Sequence, residues 1–262
     1  MADKSILLAL AALPVVIILL IVYLKDKNKE PMALLIKLFL SGFVACTLVL
    51  LLSDILAVYL PFMRGTLSNK TFLETLLYAF FGVALVEEFC KWLMTYLIGY
   101  NNREFDELYD GMVYAIFVSL GFAFIENIMY VIQTASISTA ILRAVSAVPS
   151  HACDAIFMGY YMSVAKHCAL RKSKEGEKKY LIKSLFIPAI LHGIYDFCLM
   201  SGYNILIAVF LVFVVVLYVL SIQKLKKLLK YNKKIKFQNK FCHVCGKAVT
   251  GPFCAKCGTK QY

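Results

Sequence analysis

Two adjacent carboxylates, Glu87 and Glu88, interrupt the apolar stretch LLYAFFGVALVEEFCKWLMTYLIGY, and Lys91 follows one helical turn later. On a helix, spacings of three and four bring a lysine beside both acids, so one cation can serve two carboxylates. Two close carboxylates at low dielectric do not readily ionise together. One keeps its proton and the other is available as a base, the arrangement general acid–base chemistry requires. Further along come Glu126 and Asn127 in GFAFIENIMY, His151 in PSHACDAIFMGYY, and His192 with Asp196 in IPAILHGIYDF. The His192–Asp196 spacing of four places both on one helix face, where the acid can orient the imidazole. Any one of these groups alone could be structural glue between helices. Spread over four separate apolar segments, they point to a polar chamber, hence an enzyme or an ion pathway. The catalytic candidates are Glu87, Glu88, Glu126, His151 and His192, with Lys91, Asn127 and Asp196 supporting them. Asp154, on the His151 segment, has no role in this reading beyond packing.

The elements that must position these groups are membrane helices. Of the 262 residues 61% are apolar and 17% charged, and several apolar runs reach the ~18 residues needed to cross a bilayer. The fold class expected is an all-α polytopic membrane bundle of about seven spans, near 5–24, 33–60, 72–99, 111–133, 144–165, 183–201 and 203–222. The first run is too long for a signal-peptide core and is followed by KDKNKE rather than a small-residue cleavage site, so it reads as a retained helix.

Charge sorts the loops. With the N-terminus outside, the inner regions 25–37, 100–110, 166–183 and 223–262 hold 4, 1, 7 and 11 Lys and Arg, or 23 of the 28. The positive-inside rule then gives N-terminus out and C-terminus in. The net charge of +12 is accounted for by topology, so no nucleic-acid partner is expected; the bilayer itself is the expected partner.

The chain divides into a transmembrane domain at 1–222, a basic linker at 223–240 and a small module at 241–262. The linker, QKLKKLLKYNKKIKFQNK, reads as a stop after the last span or as an interfacial helix drawn to anionic lipid. In the module, Cys242, Cys245, Cys254 and Cys257 form C-x2-C-x8-C-x2-C, the spacing of a tetrahedral structural zinc site. His243 is read as a spacer. Four sulfur ligands leave zinc no open position, so this zinc is expected to be structural.

The three intramembrane motifs resemble those of the PrsW-type intramembrane proteases, a branch of the group that contains the CAAX prenyl endopeptidases. Glu87-Glu88 with Lys91 matches EExxK, FAFIE at 122–126 matches FxxxE, and His192 with Asp196 matches HxxxD, in the family's order. FDELYDGMVYA (105–115) and RAVSAVPSHACDAIFMGYY (143–161) resemble the intervening family stretches. The resemblance covers about 70–222; the zinc ribbon is an addition, and an uncharged residue is expected where Asp154 stands.

The resemblance implies a membrane-embedded bacterial peptidase that cuts a membrane-anchored protein near the extracytoplasmic side. In family members that substrate is an anti-sigma factor, cut first to start a signalling cascade. Glu87 or Glu88 would activate water, Glu126 would share the proton, and His151 and His192 would stabilise the oxyanion. Two alternatives stay open at this stage. One is a zinc-dependent version of the same peptidase, with His151, His192 and a glutamate holding the metal. The other is a proton or cation transporter, for which no internal repeat is visible.

Overall fold

The structure, a computed structural model, describes residues 4–231 together with 242, 244–245, 247, 249 and 253–260 of the tail. The chain folds as a bundle of helices: α1 Lys4–Lys25, α2 Met32–Tyr59, α3 Phe72–Leu77, α4 Leu85–Thr95, α5 Asp110–Thr134, α6 Ile137–Val145, α7 Ala147–Leu170, α8 Lys174–Met200 and α9 Asn204–Tyr231. No strand occurs among the described residues, only an isolated bridge between Phe253 and Lys260.

Five helices (α1, α2, α5, α8 and α9) are long and apolar enough to cross a membrane. Residues 72–100 form one further helical rod, in which π-helical stretches Tyr78–Ala84 and Tyr96–Tyr100 flank α4. The rod starts at a capping box: the Thr71 hydroxyl accepts from the Glu74 N–H, and the Glu74 carboxylate accepts from the Thr71 N–H. α7 is equally long but carries His151, Asp154 and Lys166 in its interior. The rod and α7 are therefore less apolar for the same reason that they matter to the site.

Some boundaries differ from those read in the sequence. The stretch expected to be an outer loop, 134–143, contains α6, whose N-terminus is capped by Ser136. α8 begins at Lys174, where the Ser173 hydroxyl accepts from the Gly176 N–H, and so takes in part of the expected inner loop. α9 runs through the start of the basic stretch to Tyr231, because Leu225, Leu228 and Leu229 continue its apolar stripe against the core. Residues 232–240 of the linker, and His243, lie outside the described residues.

α5 is the central rod; every residue from Asp110 to Ala123 is buried. Close approach on both flanks fixes its position. A Cβ on Gly121 would sit 2.0 Å from the Phe39 carbonyl oxygen of α2, and one on Gly159 of α7 would sit 2.4 Å from the Gly111 carbonyl oxygen. Only glycine permits backbones this near. α1, α2 and α9 present exposed Leu13, Leu20, Leu51, Val212 and Val215 outward, the surface that a bilayer covers.

At one end of α5, the Asp110 carboxylate accepts the N–H groups of Asp106 (2.9 Å) and Glu107 (2.7 Å). Asn28 donates to Glu107, and the Tyr114 hydroxyl donates to Glu30 at 2.8 Å. These bonds tie the α1–α2 loop to the start of α5.

Candidate active site

Glu87, Glu88 and Lys91 project from α4 immediately after the first π stretch. A π turn carries one extra residue and so resets the face that the following helix presents. Lys91 is completely buried. Its Nζ lies 3.1 Å from Glu87 Oε2, 2.9 Å from Glu88 Oε1 and 3.1 Å from His151 Nδ1, and 4.1 Å from the centre of the Phe122 ring. An ammonium can only donate, so His151 Nδ1 is the acceptor and the ring proton is on Nε2. That nitrogen is 2.9 Å from Glu126 Oε2.

His192 closes the other side. Its Nδ1 is 3.0 Å from Glu88 Oε1, and its Nε2 is 3.3 Å from Asp196 Oδ2 and 3.9 Å from Glu87 Oε2. The two imidazoles stand edge to face, 5.3 Å apart. His192 follows Pro188 by one turn of α8. Pro188 has no N–H to offer the carbonyl of Ser184, and the Ser184 hydroxyl accepts the Trp92 Nε1–H at 2.7 Å, which locks α8 to α4.

The structure thus brings together seven of the eight chamber residues read from the sequence, all but Asn127. Glu87, Glu88, Lys91, His151, His192 and Asp196 share one buried cluster. Glu126 sits at its rim with a side chain 15% exposed. Asn127 lies further along α5, where its Nδ2 donates to the Ala11 carbonyl of α1 at 2.8 Å, so it anchors a helix and makes no bond into the cluster.

Arg143 was not singled out from the sequence. From α6 its guanidinium donates to Glu126 Oε2 at 2.7 Å and to Asn127 Oδ1 at 2.8 Å, and it lies over the Tyr130 ring at 4.0 Å. A signal was present: Arg143 is the sole charged residue between Glu126 and Asp154 other than His151. An isolated arginine beside an intramembrane acid is a natural counter-ion.

Two sets of side chains could hold a cation. Glu88, His151, Asp154 and His192 each offer one ligand atom, all within 4.8 Å of one another, and so do Glu87, Glu126 and His151. Nitrogen and carboxylate donors of this kind suit divalent transition metals.

In the tail, Cys242, Cys245, Cys254 and Cys257 gather as a third set. Cys242 and Cys257 sulfurs are 3.6 Å apart and those of Cys245 and Cys254 are 3.4 Å apart. Four sulfurs each ~2.3 Å from a zinc ion would be separated by about 3.8 Å, so the cluster is nearly of the right size. The Val244 and Cys245 N–H groups donate to Cys242 Sγ, and Gly258, at φ +70°, makes the turn after Cys257. The four cysteines could therefore bind zinc.

Residues 30–222 match the family described as PrsW family intramembrane metalloprotease. Protease PrsW of Oceanobacillus iheyensis is 40% identical over 202 residues, covering 76% of this chain and 86% of the relative. Protease PrsW of Geobacillus kaustophilus is 36% identical over 196 residues, 74% of this chain and 80% of the relative. Protease PrsW of Clostridioides difficile is 33% identical over 237 residues, 89% of this chain and 95% of the relative. No solved structure matches.

Proposed function

The chain belongs to the PrsW family of intramembrane metalloproteases, and from that premise we propose that its buried chamber cuts a membrane-anchored protein near the extracytoplasmic face. An anti-sigma factor is the substrate class proposed. The observation that carries the reading is the meeting of Glu88 from α4 with His192 from α8 at 3.0 Å, and of His151 from α7 with Glu126 from α5 at 2.9 Å. Four helices direct acid–base groups into one site.

Glu87 is the base in this reading. Glu88 is wholly buried, and its Oε1 already receives Lys91 and His192. Glu87 is 7% exposed and gives only Oε2 to Lys91. Glu87 takes a proton from water as the oxygen attacks the scissile carbonyl, then returns it to the departing amine. In this reading His192 and His151 turn an N–H from Asp196 and Glu126 to the carbonyl oxygen as it gains charge. Lys91 holds the two glutamates in register, and Arg143 does the same for Glu126.

Glu88, His151 and His192 have the donor chemistry for the metal that the family's description carries, and Glu88 Oε2 is a buried oxygen without a hydrogen bond among the described residues. A metal bound there would act as a Lewis acid on water or on the carbonyl.

The rod 72–100 and α7, running with the five apolar helices, support seven passes. The loop charges support a topology with the N-terminus outside, which would put the four-cysteine module, a structural zinc ribbon, in the cytoplasm. The test is cleavage by the purified, detergent-solubilised chain of a single-pass membrane protein that accumulates in cells carrying a Glu87/Glu88 double variant. Glu87→Gln is expected to abolish cleavage, and full activity in that variant rejects the assignment.

A further inference from the structure

Asp154 has no part in the chemistry above, yet its surroundings are unusual. It lies one turn after His151 on α7, is 1% exposed, and its Oδ1 has no hydrogen-bond partner among the described residues. Two other chamber carboxylate oxygens, Glu88 Oε2 and Asp196 Oδ2, are in the same condition among the described residues, and Asp196 Oδ2 has His192 Nε2 at 3.3 Å. A buried carboxylate oxygen without a partner is strongly disfavoured unless something positive reaches it.

The fixed cations of the chamber are committed elsewhere. Lys91 bonds Glu87, Glu88 Oε1 and His151, and Arg143 bonds Glu126 and Asn127. Against these two stand the carboxyl groups of Glu87, Glu88, Glu126, Asp154 and Asp196. The histidines are arranged in a telling way. Each has a carboxylate at Nε2, Glu126 for His151 at 2.9 Å and Asp196 for His192 at 3.3 Å. Each turns Nδ1 toward the Glu88 side of the chamber, where His151 Nδ1 meets Lys91 and His192 Nδ1 meets Glu88. A carboxylate behind a histidine whose other nitrogen faces a ligand cluster is the outer-shell pattern of metal sites.

We propose that Asp154 is a ligand to a divalent transition cation that it holds together with Glu88, His151 and His192, the ion replacing the present bonds of the two Nδ1 atoms to Lys91 and Glu88. The four ligand atoms lie within 4.8 Å of one another. Within that set, Asp154 Oδ1 and Glu88 Oε2 are buried oxygens with no hydrogen bond among the described residues. A dication at this point offsets most of the chamber's excess negative charge. The set of two histidines and two carboxylates also separates this site chemically from the four-sulfur cluster of the tail. The proposal rests on the peptidase reading only in sharing its chamber.

Cobalt(II) titration of the full-length, metal-stripped protein in detergent tests it. Thiolate-to-cobalt charge-transfer bands report the tail site, and the weaker visible bands of nitrogen and oxygen ligation report the chamber. The wild-type chain is expected to take two cobalt ions. Asp154→Asn and Asp154→Leu are each expected to weaken the chamber site about tenfold or more, while the tail bands titrate unchanged and the protein elutes as a single species. Asn keeps the shape of Asp, so it remains informative where Leu misfolds. An unchanged chamber titration in Asp154→Asn overturns the proposal, as does a wild-type chain that binds cobalt only at the tail. Cleavage by such a chain leaves the peptidase reading standing. A filled chamber in a chain that cuts nothing rejects the peptidase reading and spares the metal site.

Discussion

Glu88 and His192 lie 104 positions apart in the chain and meet at 3.0 Å in the buried interior, Oε1 to Nδ1. The same oxygen receives Lys91 at 2.9 Å. One carboxylate therefore joins α4 to α8 and neutralises a buried ammonium, which separates its role from that of its neighbour Glu87.

This separation predicts different outcomes for the two amide substitutions. Glu87→Gln should lower cleavage by about 10²–10⁴-fold with little change in melting temperature. Glu88→Gln should also lose cleavage, and it should destabilise the fold by about 3–5 kcal/mol, because the completely buried Lys91 is left short of charge compensation. Thermal unfolding in detergent beside the cleavage assay tells the two apart; equal melting temperatures would contradict the division of roles.

Arg143 supplies two donors at different angles, one to Glu126 and one to Asn127. Arg143→Lys keeps the charge but has a single donor head and cannot make both bonds in the same geometry. Cleavage by Arg143→Lys is expected to fall at least about tenfold, and Arg143→Met further. Wild-type rates in Arg143→Lys would mean that only the charge matters.

The tail cluster predicts a metal that can be removed without harm to the bundle. Cys254→Ser should release one zinc per chain, measured by elemental analysis, while helical circular dichroism and the melting of the bundle stay unchanged. A metal-dependent fold of this kind takes its stability from the ion, so proteolysis of the tail should accelerate in the variant or after chelation. Retention of the zinc by Cys254→Ser would reject the four-sulfur site.

Glu30, in the α1–α2 loop, provides a pH signature. Burial pushes its carboxyl up to about 7, against the opposing hydrogen bond from Tyr114, with a further upward push from Asp26. A group whose pKa is raised on folding contributes most below its ordinary value of 4.5, and the contribution is lost as pH rises through about 7. Glu30→Gln keeps an acceptor for Tyr114 and carries no charge. It should therefore match the wild type near pH 5 and melt at higher temperature near pH 8. A variant equally or less stable at pH 8 would show that Glu30 is charged without cost in the fold.

Much of the chamber can be read along single helices. The i,i+3 and i,i+4 contacts of Lys91 with its two glutamates, and of His192 with Asp196, follow from the 3.6-residue period alone, and the structure has them at 2.9, 3.1 and 3.3 Å. The apolar runs and the cysteine spacing likewise point to a membrane bundle and to a tail whose four cysteines could bind metal, because bilayer thickness and tetrahedral sulfur geometry constrain sequence directly. What the sequence by itself determined, then, was which groups are present and which share a face within one helix. Only the tertiary structure decided which faces meet: that Glu88 reaches His192, that His151 stands between Lys91 and Glu126, that Arg143 completes the Glu126 site, and that Asp154 is buried with an Oδ1 unpaired among the described residues. Those pairings depend on helix rotation and crossing. The backbone contact of Gly121 with Phe39 and that of Gly159 with Gly111 fix α5 against α2 and α7, and the π turn before Glu87 sets the face of α4. A local hydrophobic period carries no record of such long-range contacts.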